Sequence, residues 1–329
     1  PSNSSAASDV YKRQLLLKIG KRCAIMTTFL QQILHISAFT DKFYLKIRSF
    51  NMKDNKTEVK HFFTMFDKYK NLLRELTRKN VKLKYRDSWL GIFWSFLQPL
   101  MTMIVLTVVF GNIFGANRKH IVCYPVYLFT GRLLFEFFTS STKKALTSFR
   151  SNAPIIKKVY VPKYMYPLSG ILSNFVTFSI SILCYICVWI FFKATGLLGG
   201  AGLTINFYAL LFVVPMAILL IFVIGVGLIL SVLQVYFRDI EYIWDVFCTL
   251  LFYCVPIIYP LQQITTPWIK AIIKINPLYS MLELFRQCVL YCQPMSWKLL
   301  LYALAWALAT LGLGVFIFNK KSDDLIFHL

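Results

Sequence analysis

Two charged clusters break an otherwise apolar sequence, and their spacing limits the chemistry open to them. Arg132 and Glu136 stand four residues apart inside the run YPVYLFTGRLLFEFF, where a helix places them one turn apart on the same face. A charge in hydrocarbon is costly enough to mark a functional position, so the pair fits a polar conduit, two charges that neutralise each other, or an Arg132 that snorkels outward. Asp239 and Glu241 follow Arg238 in FRDIE and form a close acidic pair near a basic face. Acid–base chemistry on a membrane-bound substrate needs such clustered carboxylates, and a plain water-facing turn has the same composition.

Other chemistries lack their residues. No G-x-x-x-x-G-K-[ST] occurs, so the chain has no phosphate-cradling loop with which to hydrolyse ATP. The histidines at 35, 61, 120 and 328 are scattered, with no H-E-x-x-H and no G-x-S-x-G. Cys184 and Cys187 make a C-x-x-C, but without a second pair or a nearby histidine they read as small hydrophobes in an apolar run. Directed work across a membrane would then draw on a gradient or on a partner chain.

The elements that position these residues are set by composition. The chain is 57% hydrophobic and 17% aromatic, and only 15% of its residues are charged. Several runs reach the roughly 20 residues that cross a hydrocarbon core as a helix. The reading is an all-α integral membrane protein with six spans, near 90–110, 122–141, 168–192, 207–235, 242–259 and 297–318. Pro99 should kink the first span, and Gly225 and Gly227 allow close helix contact in the fourth. Between spans five and six, segments 268–275 and 278–291 are apolar but too short to cross, and Asn276-Pro277 separates them. They are expected to be re-entrant or interfacial helices on the outer side.

The formal charge of +22 comes from 36 Lys and Arg against 14 Asp and Glu. No nucleic-acid module accompanies it, and positive-inside retention with anionic headgroups accounts for it. Seven basic residues lie between Lys70 and Arg86 and six between Lys143 and Lys163, against two, one and three in the outer loops, so both termini are expected to be cytoplasmic. Apolar residues at Phe62, Phe66, Tyr69, Leu73 and Leu76 share one helical face among these cations. That stripe predicts an amphipathic helix in the cytoplasmic interface, or one packed on another subunit.

The loop FRSNAPIIKKVYVPKYMYP, 149–167, has Ile155, Ile156, Val159 and Tyr160 around Lys157 and Lys158. This suits either a short helix pressed into a groove of another protein or a charged linker between spans. The first fourteen residues read as a non-native scar, with Met52 as the expected native start. The layout is a non-native or disordered extension over 1–51, a cytoplasmic segment with its amphipathic helix over 52–89, and a membrane domain over 90–329.

Several short motifs occur together and in order. They are Arg74-Glu75-Leu76, Lys84-Tyr85-Arg86-Asp87-Ser88-Trp89-Leu90-Gly91, Gln98-Pro99-Leu100, Tyr124-Pro125 and Phe129-Thr130-Gly131. Further on come Ile156 through Pro162, Arg238-Asp239-Ile240, Pro256 through Pro260 and Asn276-Pro277-Leu278. From about Phe62 onward the chain resembles ABC-2 type permeases that export polysaccharides. The resemblance implies a six-span half-transporter in the bacterial cytoplasmic membrane that forms a homodimer and pairs with two copies of a separate ABC ATPase subunit. ATP and Mg would bind that partner, and this chain would hold no cofactor. The cargo implied is a polyprenyl-diphosphate-linked glycan such as O-antigen, teichoic acid or capsule-type polymer.

By the same resemblance, Ile155, Ile156, Lys157, Lys158, Val159 and Tyr160 form the ATPase-coupling loop. Arg74, Glu75, Lys84, Arg86, Arg238 and Asp239 stand at the cytoplasmic interface or entrance, where cations could attract a diphosphate. Arg132, Glu136, Tyr253 and Tyr259 are candidates for the conduit, where aromatic faces suit sugar C–H surfaces. Arg132 departs from the apolar residue that the family usually has after the glycine. Two other readings are an integral membrane enzyme using Asp239 and Glu241 on polyprenyl-linked glycans, and an exporter of small hydrophobic drugs.

Overall fold

The computed structural model describes residues 55–86, 89–113, 121–158, 161–203 and 206–321. The expected extension over 1–51, Met52, Val159 and Tyr160 lie outside the described residues. The chain divides into a unit over 1–68 and a unit over 69–329, and the second carries the architecture below.

Ten α-helices occur among the described residues, in the order α1 (Asn55–Tyr85), α2 (Trp94–Ile113), α3 (Tyr124–Leu146), α4 (Ser148–Ile156) and α5 (Met165–Thr195), then α6 (Val213–Tyr236), α7 (Ile240–Cys254), α8 (Pro267–Ile275), α9 (Pro277–Val289) and α10 (Trp297–Lys321). Four stretches are long and apolar enough to cross a membrane: Gly91–Gly111, Met165–Thr195, Tyr208–Tyr236 and Trp297–Lys321. The fold is an all-α integral membrane bundle.

Its centre is α3, which carries four charges and is nevertheless the most enclosed helix. Val126, Leu128, Phe129, Ala145 and Leu146 are almost wholly buried, and α2, α5, α6, α7 and α9 pack around it. Pro125 opens the helix, where its missing N–H costs nothing. The apolar run suggests a stop near Ser141, yet the helix continues to Leu146. Thr139 and Thr142 donate back to the carbonyls of Phe135 and Phe138, at 3.1 and 2.8 Å, so the hydroxyls are satisfied within the helix.

Two further devices hold the bundle together. Pro99 lies inside α2 and leaves the Ser95 carbonyl without its helical donor; the Ser181 hydroxyl of α5 supplies one at 3.1 Å. On α6, Gly225 meets α10 so closely that a Cβ would fall 2.5 Å from the backbone of Thr310 and Leu311. Gly314 returns the contact, 2.6 Å from the Gly225 carbonyl. Gly227 faces another way, toward Ala145 and Ile171. Small residues let backbones approach where no hydrophobic force drives helices together in lipid.

The stripe expected on α1 is present where its side chains are described. Leu73 is buried with Met165 and Leu168, flanked by Tyr69 and Leu76, and Asn80 donates to the Ser169 hydroxyl at 3.3 Å. At the C-terminal end of α5, Gly196 caps the helix at φ +64°, its N–H reaching the Phe192 carbonyl at 3.0 Å.

The segment after α6 departs from the expected span over 242–259. Helix α7 ends at Cys254 because Val255 precedes Pro256 and takes an extended conformation, φ −91° and ψ 134°. Two short helices follow, as anticipated, split at Asn276. Its side chain accepts from the Leu278 N–H at 3.0 Å, and Pro277 starts α9.

Candidate functional site

Two contact networks form at the ends of α3. At one end the chain turns through Thr147 directly into α4, and the Thr147 carbonyl accepts from the Ser151 N–H at 3.0 Å. Phe149 of α4 is buried, stacked on Phe318 of α10 at 6.1 Å and tilted against Tyr166 at 6.5 Å. Ile156 packs against this same cluster, whereas Lys157 and Lys158 are exposed. The expected coupling residues therefore divide: Ile156 anchors the short helix and the lysines present its tip. Ile155 is half-buried.

Helix α7 is tied to this elbow by charge. Lys143 Nζ lies 2.6 Å from Asp245 Oδ2, and Arg150 Nη1 lies 3.6 Å from Glu241 Oε2. Between them Trp244 Nε1 donates to Thr142 Oγ1 at 3.1 Å. Glu241 and Asp245 are four residues apart, so one face of α7 reads both α3 and α4. Glu241 also stands in the first turn of α7, where the helix dipole favours an anion.

The expected entrance residues are spread out. Arg238 and Asp239 are exposed in the turn before α7, and Arg74, Glu75, Lys84 and Arg86 are exposed along and after α1. Midway along α3, Arg132 Nε approaches Glu136 Oε2 at 3.5 Å, and the Arg132 guanidinium sits 5.7 Å from the Phe252 ring of α7. Both members are about one-third exposed, at 30% and 35%. Tyr253 is exposed, and the Tyr259 hydroxyl donates to its carbonyl at 2.7 Å.

At the far end of α3 lies a node that sequence reasoning missed. Arg286 of α9 is 1% exposed and turns inward to α3 and the extended segment after α7. Its Nη1 donates to the Pro256 carbonyl at 2.8 Å and to the Tyr127 hydroxyl at 2.9 Å. Longer contacts run from Nη2 to the carbonyls of Tyr127 and Ile257, both 3.3 Å, and from Nε to Thr130 Oγ1 at 3.4 Å. The guanidinium also stacks on the Tyr127 ring, 3.6 Å from its centroid. Tyr124 adds a bond to the Ile258 carbonyl at 3.1 Å, and the Tyr127 hydroxyl lies 3.2 and 3.1 Å from the carbonyls of Pro256 and Tyr259.

Three separated motifs thus meet at one cation. A Cβ on Gly131 would fall 2.9 Å from Arg286 Nη2 and 3.0 Å from Ile257, which explains glycine there. Pro256 through Tyr259 supplies the carbonyls, and an arginine fork satisfies several at once where a lysine cannot. The available signal was a lone cation within the apolar segment 278–291.

Comparison with known proteins places these features in a family. The family described as ABC-2 type transporter matches residues 71–290, which include both ends of α3. The chain is 33% identical over 256 residues to the O-antigen export system permease protein RfbA of Klebsiella pneumoniae, covering 76% of this chain and 92% of the relative. It is 28% identical to the protein of the same description from Myxococcus xanthus, over 68% of this chain and 81% of that one. The polysialic acid transport protein KpsM of Escherichia coli is 23% identical, over 79% of this chain and 97% of its own length.

Proposed function

We infer from the ABC-2 type transporter family, to which this chain belongs, that it is the permease subunit of an exporter of polyprenyl-linked polysaccharide. The observation that carries the reading is the near full-length match to O-antigen permeases, in a sequence without an ATP-binding loop of its own. Energy would then come from two copies of an ABC ATPase subunit on the cytoplasmic side of a bacterial inner membrane.

In this arrangement α2, α3, α5, α6, α7 with the extended segment to Tyr259, and α10 are the six spans, α8 and α9 dip in from the outer side, and both termini are cytoplasmic. The tip of α4, with Lys157 and Lys158, meets the ATPase. Displacement there passes to α3 through the Thr147 turn and to α7 through the Lys143–Asp245 and Arg150–Glu241 pairs. Coupling of this kind needs a two-state element that the partner biases. Helix α7 suits that role, because Phe247 and Tyr253 remain exposed for a second copy or a sliding glycan. Arg132 and Glu136 would face the same conduit.

The membrane-enzyme reading loses support at its proposed site, since Glu241 is engaged by Arg150. The test is purification from membranes with the neighbouring genes co-expressed. An ATPase that co-elutes and turns over faster with lipid-linked glycan supports the reading. A chain that elutes alone, with no ATPase captured, overturns it.

A further inference from the structure

One flank of the bundle holds a groove of about 680 Å³ that the export reading does not use. Its first wall is a stripe on α5, Ile182, Tyr185, Ile186, Trp189 and Ile190, whose spacing keeps all five on one helical face. Ala209, Leu210 and Phe212 form the opposite wall, and Phe285 and Val289 of α9 close the bottom. Tyr185 and Phe285 are 2% and 1% exposed, whereas Ile186, Ile190 and Leu210 at the rim are 41%, 55% and 67% exposed. The groove is therefore deep and opens sideways, along one of the helices apolar enough to cross a membrane.

Its size is in the range of small-molecule sites, and its walls are predominantly apolar, with Asn206, the Tyr185 hydroxyl and the Trp189 indole N–H as the polar groups along them. Its length is telling. From Ile182 to Lys193 the helix rises about 16 Å, close to half of a hydrocarbon core of about 30 Å. Lys193 stands one turn beyond Trp189 with its ammonium 5.1 Å from the indole ring, exposed at the end of the stripe. A lysine beside a tryptophan at that depth is the usual furniture of a headgroup boundary. The groove thus has an apolar shaft one leaflet deep and a cation at its mouth.

We propose that this groove binds one anionic glycerophospholipid of the bilayer, with an acyl chain against Tyr185, Trp189, Phe212 and Phe285 and its phosphate at Lys193. A polyprenyl chain exceeds one leaflet in length and is the poorer fit. Because Phe285 precedes Arg286, the bound chain wedges α9 against the node at the end of α3. The site rests on the membrane fold alone, not on the export reading.

The test titrates the purified full-length chain in mild detergent with dioleoyl-phosphatidylglycerol or dioleoyl-phosphatidylcholine and counts bound lipid by native mass spectrometry. One site per chain is expected, with about a fivefold preference for the anionic lipid, the worth of a single lysine near a headgroup. Ile186→Trp, on the exposed rim, should block the shaft and cut occupancy severalfold, and Leu210→Trp should do the same from the other wall. Lys193→Glu should keep the site and lose the preference. Equal occupancy in wild type and both tryptophan variants, or retention of a polyprenyl lipid in place of phospholipid, overturns the proposal. None of these readouts involves an ATPase, so failure here is distinct from failure of the export reading.

Discussion

Replacing Arg286 by methionine tests whether the node at the end of α3 is a structural keystone. The side chain makes two short contacts, to the Pro256 carbonyl at 2.8 Å and the Tyr127 hydroxyl at 2.9 Å, and three longer ones at 3.3 to 3.4 Å. A hydrogen bond to a charged group contributes about 1.5–3 kcal/mol net, and an orphaned buried acceptor costs about 1–3 kcal/mol. Part of the loss is recoverable, because the Tyr127 hydroxyl already lies 3.2 Å from the Pro256 carbonyl and can turn to it. The Ile257 carbonyl loses its donor, and the ring stacking goes. Release of the buried charge from its desolvation cost offsets some of this. The balance is a loss of about 3 kcal/mol.

At an unfolding entropy of about 2.1 cal/mol/K per residue, that lowers the melting temperature in detergent by about 4 °C. Arg286→Lys should fall between, keeping one strong bond but not the fork. Gly131→Ala should destabilise by a related route, since its methyl would crowd Nη2 at 2.9 Å. With Arg286→Met present, the Gly131→Ala effect should shrink, giving a non-additive cycle. An Arg286→Met protein that melts with the wild type, or a fully additive cycle, refutes the argument that these residues share one packed contact.

Other positions give sharper or smaller effects. Gly225→Val should lower the melting temperature by several degrees, because only backbone lies within reach of its Cβ, whereas Gly312→Ala, with nothing within 4 Å, should match or slightly exceed wild type. Asp245→Asn should cost no more than about 1 kcal/mol, since the pair with Lys143 is half exposed at 47% and 48%, and a thermal shift assay in high salt should find it smaller still. Lys157→Glu with Lys158→Glu should reduce ATPase capture in a pull-down without changing melting. Ile156→Glu should reduce both, because it packs on the Phe149 cluster.

Which parts were legible in the sequence follows from where each signal lies. The four long apolar helices and the amphipathic stripe through Leu73 announce themselves by periodicity, a property of neighbours in the chain. The split at Asn276-Pro277 is equally local, because the cap and the proline are adjacent residues. The ends of α3 and α7 were less legible. Where the apolar run of α3 ends, Thr139 and Thr142 bond back within the helix and it continues to Leu146, and Pro256 cuts α7 at Cys254 though the apolar run continues. Arg286 was illegible as a node because its acceptors are distant in the chain: the carbonyls of Pro256 and Ile257 carry no side-chain signature, and the groups of Tyr127 and Thr130 lie on another helix altogether. Arg132 is the more visible arginine in the sequence because its acid stands one turn along, yet the pair it makes is about one-third exposed.

Arg132 and Arg286 both lie against α3, yet their partners give them opposite roles. Arg132 has a one-third-exposed carboxylate and an aromatic ring of α7 as neighbours, contacts that can be exchanged at small cost if α7 slides. Arg286 has carbonyls fixed by the backbone of the segment after α7, together with a stacked ring, and these cannot be exchanged singly. If α3 transmits motion from α4, the two ends of α7 must then behave differently. Its first turns, joined by the half-exposed Lys143–Asp245 and the Arg150–Glu241 pairs, are free to re-pair, while the segment following Cys254 stays clamped to α3 and α9. The motion consistent with those contacts is a swing of α7 about its Pro256 end. Paired cysteines at Thr142 and Trp244, cross-linked with reagents of increasing length, should show a separation that changes with ATPase turnover, and the same measurement at Tyr124 and Ile258 should not.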